Sequence, residues 1–176
     1  HVDLRPISTN IPMAKKEEMI GKSKKWMCPT LVVFRNLQRS PDDPATQTQY
    51  EQYVDRDTRE FWKHSVRKYD DVFDLQKKMA LGIFSHGGRF ITGTDCLNPY
   101  VLAGFSIHEE LEELVNAGIP AYEVLKASTI NAAEFLKRQD EVGTIEIGKI
   151  ADLVLLEGNP LDDIRNTRNI NGVFVT

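Results

Sequence analysis

Arg89-Phe90-Ile91-Thr92-Gly93-Thr94-Asp95 is the stretch on which the fold turns. Phe90 and Ile91 give it a short apolar, β-branched core, which reads as a buried strand. Gly93 and Thr94 bring the backbone to its end with small residues, and a carboxylate stands last. An ionised carboxylate closing a buried strand needs a partner or a cation. In barrels of alternating strands and helices, chemistry sits at the C-terminal strand ends. Asp95 is therefore the first candidate for a metal ligand or a general base. The competing role is a loop cap, which Asp often fills.

Working upstream, His86-Gly87-Gly88 is a helix stop, glycine being well suited to that position. A helix from about Thr58 to Ile83 precedes it, with Phe61, Trp62, Phe73, Leu75 and Met79 on its apolar stripe. Residues 35–57 are polar and carry Pro41 and Pro44, a long connection of the kind that forms lids. Pro29-Thr-Leu-Val-Val-Phe34 is a continuous apolar run and reads as a buried parallel strand. Strand, helix, strand is a βαβ unit. Residues 13–25 have helical spacing, with Pro12 just before the first turn.

Downstream, Cys96–Gly104 is an irregular loop with Asn98-Pro99 as a turn signal. Ser106–Ala117 reads as a helix, with Ser106 as cap and Glu109 in capping-box spacing. Further helices are expected over 120–127 and 129–136. The texture then changes: Gly143–Gly148 alternates, Ala151–Leu156 is a strand, and Ile170–Val175 is another around Asn171-Gly172. This tail reads as antiparallel β appended to an α/β body.

The chain has 176 residues and a net charge of −4. That length allows a sizeable core but falls short of a complete (β/α)₈ barrel, which needs ~200 residues or more. The lysines at 15, 16, 22, 24 and 25 are interleaved with Glu17 and Glu18, a solvated helix face that argues against nucleic-acid binding. Cys28 and Cys96 form no disulfide framework or CxxC pair, compatible with a reducing, cytoplasmic setting. No apolar run reaches the ~18 residues of a membrane span. An abrupt start on His1 is expected of a piece of a longer polypeptide.

The motifs together carry a resemblance. Gly87-Gly-Arg-Phe-Ile-Thr-Gly-Thr-Asp95, His108-Glu-Glu-Leu111 through Gly118, Ala127-Ser-Thr-Ile-Asn131-Ala-Ala133, Gly143-Thr-Ile-Glu-Ile-Gly-Lys149-Ile-Ala-Asp152 and Gly158-Asn-Pro160 follow one another over residues 87–162. The series resembles the C-terminal part of the amidohydrolase superfamily, in its imidazolonepropionase-like and prolidase-like branch. Pro29-Thr-Leu-Val-Val resembles that branch's seventh barrel strand.

The resemblance implies the last strand–helix units of a TIM-type barrel over residues 1–140. It also implies a β-sandwich segment over 141–176, completed by N-terminal strands outside this chain. It implies one or two divalent metals, usually zinc, with Asp95 as the eighth-strand ligand and proton acceptor. His1 matches the sixth-strand ligand; the alternative is an arbitrary terminal residue. Asn98, Tyr100 and Phe105, on the loop after Asp95, are substrate-contact candidates. His64, His86 and His108 are expected in solvated or structural roles, and Asp152 in the sandwich. The HxH pair, the bridging ligand and the fifth-strand His of the family are absent from these 176 residues. The implied activity is hydrolysis of an amide or peptide-like C–N bond in a small molecule, dormant until the upstream half of the barrel joins. The alternative is a non-catalytic assembly domain, whose open strand edges would pair with another chain, a second copy included.

Overall fold

The computed structural model describes residues 11–38, 51–65 and 72–176. Its centre is a pair of short parallel strands, β1 (Trp26–Met27) and β2 (Arg89–Phe90), in the register Trp26↔Arg89 and Met27↔Phe90. The Ile91 N–H extends the pairing to the Met27 carbonyl at 2.9 Å. Parallel strands need a crossover, and here its described part is helical. It comprises α2 (Leu31–Leu37), α3 (Arg56–Ser65) and α4 (Val72–Ser85). Met27, Leu31, Met79, Ile83, Phe90 and Leu114 pack between strands and helices as one core.

The run Pro29–Phe34 is not a strand. The strand lies earlier, at Trp26–Met27, and Leu31–Leu37 is helical. Thr30 turns the chain with a left-handed backbone, φ 51°, and Leu31, Val32 and Val33 are buried on α2. A short apolar run does not by itself distinguish a buried strand from a buried helix. The helix expected from Thr58 to Ile83 is found as α3 and α4, with residues 66–71 outside the described set. Of its expected stripe, Trp62 and Met79 are buried and Phe61 is exposed. Most of the expected lid, 39–50, also lies outside the described residues.

α4 ends as expected. Gly87 takes φ 83°, and the N–H groups of Gly87 and Gly88 bond back to Phe84 and Ile83. This is the left-handed helix stop that glycine makes without steric cost. Helix α1 (Met13–Lys22) follows Pro12 and packs on α4. The approach is close at Gly21, where a Cβ would lie 2.6 Å from the His86 Cβ. Lys15 and Lys22 both pair with Glu18 on its exposed face.

After β2 come α5 (Ser106–Asn116), α6 (Ala121–Ser128) and α7 (Ile130–Phe135). Ser106 does not cap α5. It is the first helical residue, buried, with its hydroxyl 3.8 Å from the Cys96 sulfur, while Glu109 pairs with Arg35 instead of closing a capping box. The tail holds β3 (Leu153–Leu156) and β4 (Ile170–Phe174), paired antiparallel as expected. Residues 143–148 form no strand; Ile145 and Ile147 are exposed there. No helix among the described residues is long and apolar enough to cross a membrane.

Candidate active site at the end of strand β2

Strand β2 stops at Phe90, short of the expected 94, and residues 91–95 have no regular structure before the chain turns. Asp95, Leu97 and Tyr100 all have positive φ, at 52°, 86° and 62°. Non-glycine residues rarely take this region, each instance costs roughly 1–3 kcal/mol, and such residues gather at functional sites. The Asp95 side chain is exposed at this turn. Its carbonyl accepts the Asn98 side-chain amide at 2.9 Å and the Asn98 backbone N–H at 3.4 Å. Thr94 Oγ1 and Cys96 Sγ lie 2.9 Å apart on either side of it.

The neighbouring strand end packs directly beneath. A Cβ on Gly93 would sit 2.6 Å from the Cys28 sulfur, so glycine is needed two residues before Asp95 for this close approach. Burial, reinforced by the charges of Glu110 and Asp95, pushes the Cys28 thiol up to about 11. That makes Cys28 a packing group, since the thiolate is the reactive form.

Three substrate-contact candidates lie on the loop after Asp95, and their described contacts are architectural. The Asn98 amide spans the turn. Tyr100 is buried against Trp62, with ring centroids 5.2 Å apart, and its carbonyl accepts the Asn36 amide at 2.9 Å. Phe105 stacks on Tyr53 at 5.5 Å. Through these rings the α3 segment is docked on the loop that carries Asp95.

One residue escaped the sequence reading. Glu110 is fully buried, and its Oε2 accepts the Val32 N–H at 2.8 Å. It caps α2 from α5, a task the Thr30 hydroxyl does not perform. Its Oε1 has no hydrogen-bond partner among the described residues. Burial pushes the carboxyl up to about 7, against the pull of the Val32 and Leu31 N–H groups. A signal existed: Glu110 falls one turn before Leu114, on the apolar face of α5, where a charge is out of place. Beside it Arg35 binds Glu109 at 2.7 Å and Glu113 at 2.8 Å, all three largely shielded.

The other histidines hold structural places. His64 and His86 turn Nδ1 to the carbonyls four residues back. His108 contacts Thr167 Oγ1 at 3.0 Å, and burial, with the Arg168 charge, lowers its pKa. Asp152 accepts the Thr176 N–H.

The described residues do not complete a metal centre. Asp95 is a suitable oxygen donor, but no three His, Cys, Asp or Glu side chains converge among the described residues. Zinc takes about four ligands. His1 lies outside the described residues.

Comparison with known proteins bears on the same region. Imidazolonepropionase of Caldanaerobacter subterraneus is 46% identical over 99 residues, covering 53% of this chain and 23% of that protein. Among solved structures, a bottromycin amidohydrolase superposes with a TM-score of 0.68 at 27% identity, covering 94% of this chain and 41% of that one. A Xaa-Pro dipeptidase with bound methionine gives a TM-score of 0.67 at 24% identity, covering 90% and 35%, a likeness of fold. The chain thus spans less than a quarter of the curated relative's length and between a third and a half of the solved chains. The amidohydrolase family profile matches residues 63–176, from α3 to the last residue and through Asp95. With that match over well over half its length, the chain belongs to the amidohydrolase family.

Proposed function

We propose that this chain supplies the closing part of a hydrolase that cleaves an amide or peptide-like C–N bond in a small molecule, with Asp95 as its catalytic carboxylate. The observation that carries the reading is the exposed residue Asp95, held on a left-handed turn in the loop five residues beyond parallel strand β2, inside the matched stretch. In this role Asp95 accepts the proton of the attacking water and returns it to the departing nitrogen.

A divalent cation, zinc first among candidates, would supply Lewis acidity at the same strand end. Asp95 is one donor to it and His1 is proposed as a second. The rest would come from sequence beyond these 176 residues, in line with the small share of the relatives that they span. Residues 1–140 then form the last units of a (β/α)₈ barrel. Residues 141–176 form a β-sandwich segment, completed by strands from elsewhere. The exposed Val154, Leu155, Val173 and Phe174 on β3 and β4 favour such completion. They equally favour a second reading, an assembly domain that pairs through this sheet.

The test uses the polypeptide extended upstream of His1. Zinc content and hydrolysis of N-acyl amino acids and dipeptides are measured for the parent and for Asp95→Asn. The variant should fold and lose turnover by roughly a hundredfold or more. Turnover within about twofold of the parent would remove Asp95 from the chemistry. Light scattering of the 176-residue chain tests the second reading: a dimer supports pairing through β3 and β4, and a monomer counts against it.

A further inference from the structure

Parallel strands bond through alternate residues, so every second residue turns its N–H and C=O away from the partner. The Ile91 N–H reaches the Met27 carbonyl, which leaves the main-chain groups of Phe90 and Thr92 facing the other side. An unpaired edge of this kind is a template for a strand of another chain. Here it is occupied from within. The Asn131 side-chain amide donates to the Phe90 carbonyl at 2.9 Å, and the Thr92 N–H donates to the Ala127 carbonyl at 3.2 Å. One acceptor and one donor two residues apart are the groups that an incoming strand would bond.

The sequence supplies both partners at one place, the break between α6 and α7. The last four carbonyls of a helix have no partner inside it, and Ala127 in α6, which ends at Ser128, is among them. Thr129 leaves helical geometry, with φ −124° and ψ −97°, and Asn131 follows in the first turn of α7. The break is held from both sides. Thr92 Oγ1 donates to Ser128 Oγ at 3.0 Å, and Arg89 pairs with Glu134 at 2.5 Å. Behind it the chain passes so close at Gly143 that a Cβ there would lie 2.7 Å from the Ala133 Cβ. We propose that the α6–α7 break is an edge guard, in which Asn131 and Ala127 close the free side of β2 to strand addition by a second copy of this chain. Contacts between copies through the exposed side chains of β3 and β4 are untouched by it. The guard rests on neither reading of function, since Asp95 takes no part in it.

The test combines amide hydrogen exchange of the ¹⁵N-labelled 176-residue chain with a strand probe, a fluorescent peptide copying residues 88–94. In the parent the Thr92 N–H should be protected, and the peptide should not bind saturably. Asn131→Asp keeps the shape of the side chain and removes only its donor; Asn131→Ala removes both donor and acceptor. Each variant should speed Thr92 exchange by roughly fivefold or more, the factor set by the net worth of one hydrogen bond. Each should also bind the peptide saturably. Free exchange of Thr92 or saturable peptide binding in the parent would overturn the guard, and those two measurements stand whether or not a variant folds. Parent-like exchange in the folded variants would overturn it as well. Faster exchange without peptide binding would show that Asn131 steadies β2 but guards nothing. Zinc binding and hydrolysis by the upstream-extended polypeptide bear on none of these outcomes, so the edge guard and the hydrolase reading fail separately.

Discussion

Glu110→Gln should flatten the pH dependence of this chain's stability. Burial raises the folded carboxyl from its ordinary 4.5 to about 7. Below the lower value both folded and unfolded chains hold the proton, and the group favours neither. As pH rises from there, the unfolded chain gives up its proton while the folded chain keeps it, so the folded state loses ground until the higher value is passed. The gap of about 2.5 pH units, at about 1.4 kcal/mol each, amounts to about 3 kcal/mol. Gln keeps the carbonyl oxygen that accepts the Val32 N–H and has nothing to titrate. Urea unfolding at about pH 5 and about pH 8 should show the parent losing about 2 to 3 kcal/mol more than the variant across that interval. The comparison cancels every other titrating group shared by the two proteins. Parallel stability profiles would refute the reasoning, because they would mean that Glu110 titrates alike in both states.

Gly93→Ala should cost about 1 to 3 kcal/mol, since its new methyl meets the Cys28 sulfur at 2.6 Å. A double-mutant cycle with Cys28→Ala should recover much of that loss, and strict additivity in urea melts would show that the contact is not the cause. Cys28 should resist alkylation: with its thiol raised from 9.0 to about 11, the thiolate fraction near neutrality falls by about a hundredfold. Peptide mapping after iodoacetamide, native against urea-unfolded, checks this, and equal rates would contradict the burial of that sulfur.

The legible parts of the sequence were those whose cause is local. Gly87 stops α4 because a left-handed stop needs glycine, and Asn171-Gly172 falls in β4, paired antiparallel with β3 as the two apolar runs of the tail suggested. Asp95 was legible as a carboxylate following β2, though the strand stops at Phe90 and not at Thr94. Its strained backbone was not, because nothing in the residue type dictates φ 52°. The run Leu31–Phe34 misled because its helix is started from afar. Thr30 offers no side-chain cap, and the N–H groups that a strand would have paired are taken by a carboxylate 78 residues away. Ser106 misled in the opposite sense: a residue with the right identity for a cap is drawn inward to Cys96.

These failures share a physical root, and it bears on the site. Three left-handed residues between Asp95 and Tyr100 each cost energy, and such a loop persists only if its surroundings fix it. The fixing bonds are polar, shielded and long in sequence. Asn36 holds the Tyr100 carbonyl, Glu110 holds the start of α2, and Arg35 ties α2 to Glu109 and Glu113 of α5. Helix α2 is thus clamped between α5 and the loop after β2, and the Cys28–Gly93 contact closes the circuit beneath Asp95. Shielded polar bonds impose direction as well as proximity, which apolar packing alone does not. A turn built on three left-handed residues is better held by such bonds than by a larger core. The charge on the apolar face of α5 therefore makes one of the bonds through which α2 and the loop after β2 are held.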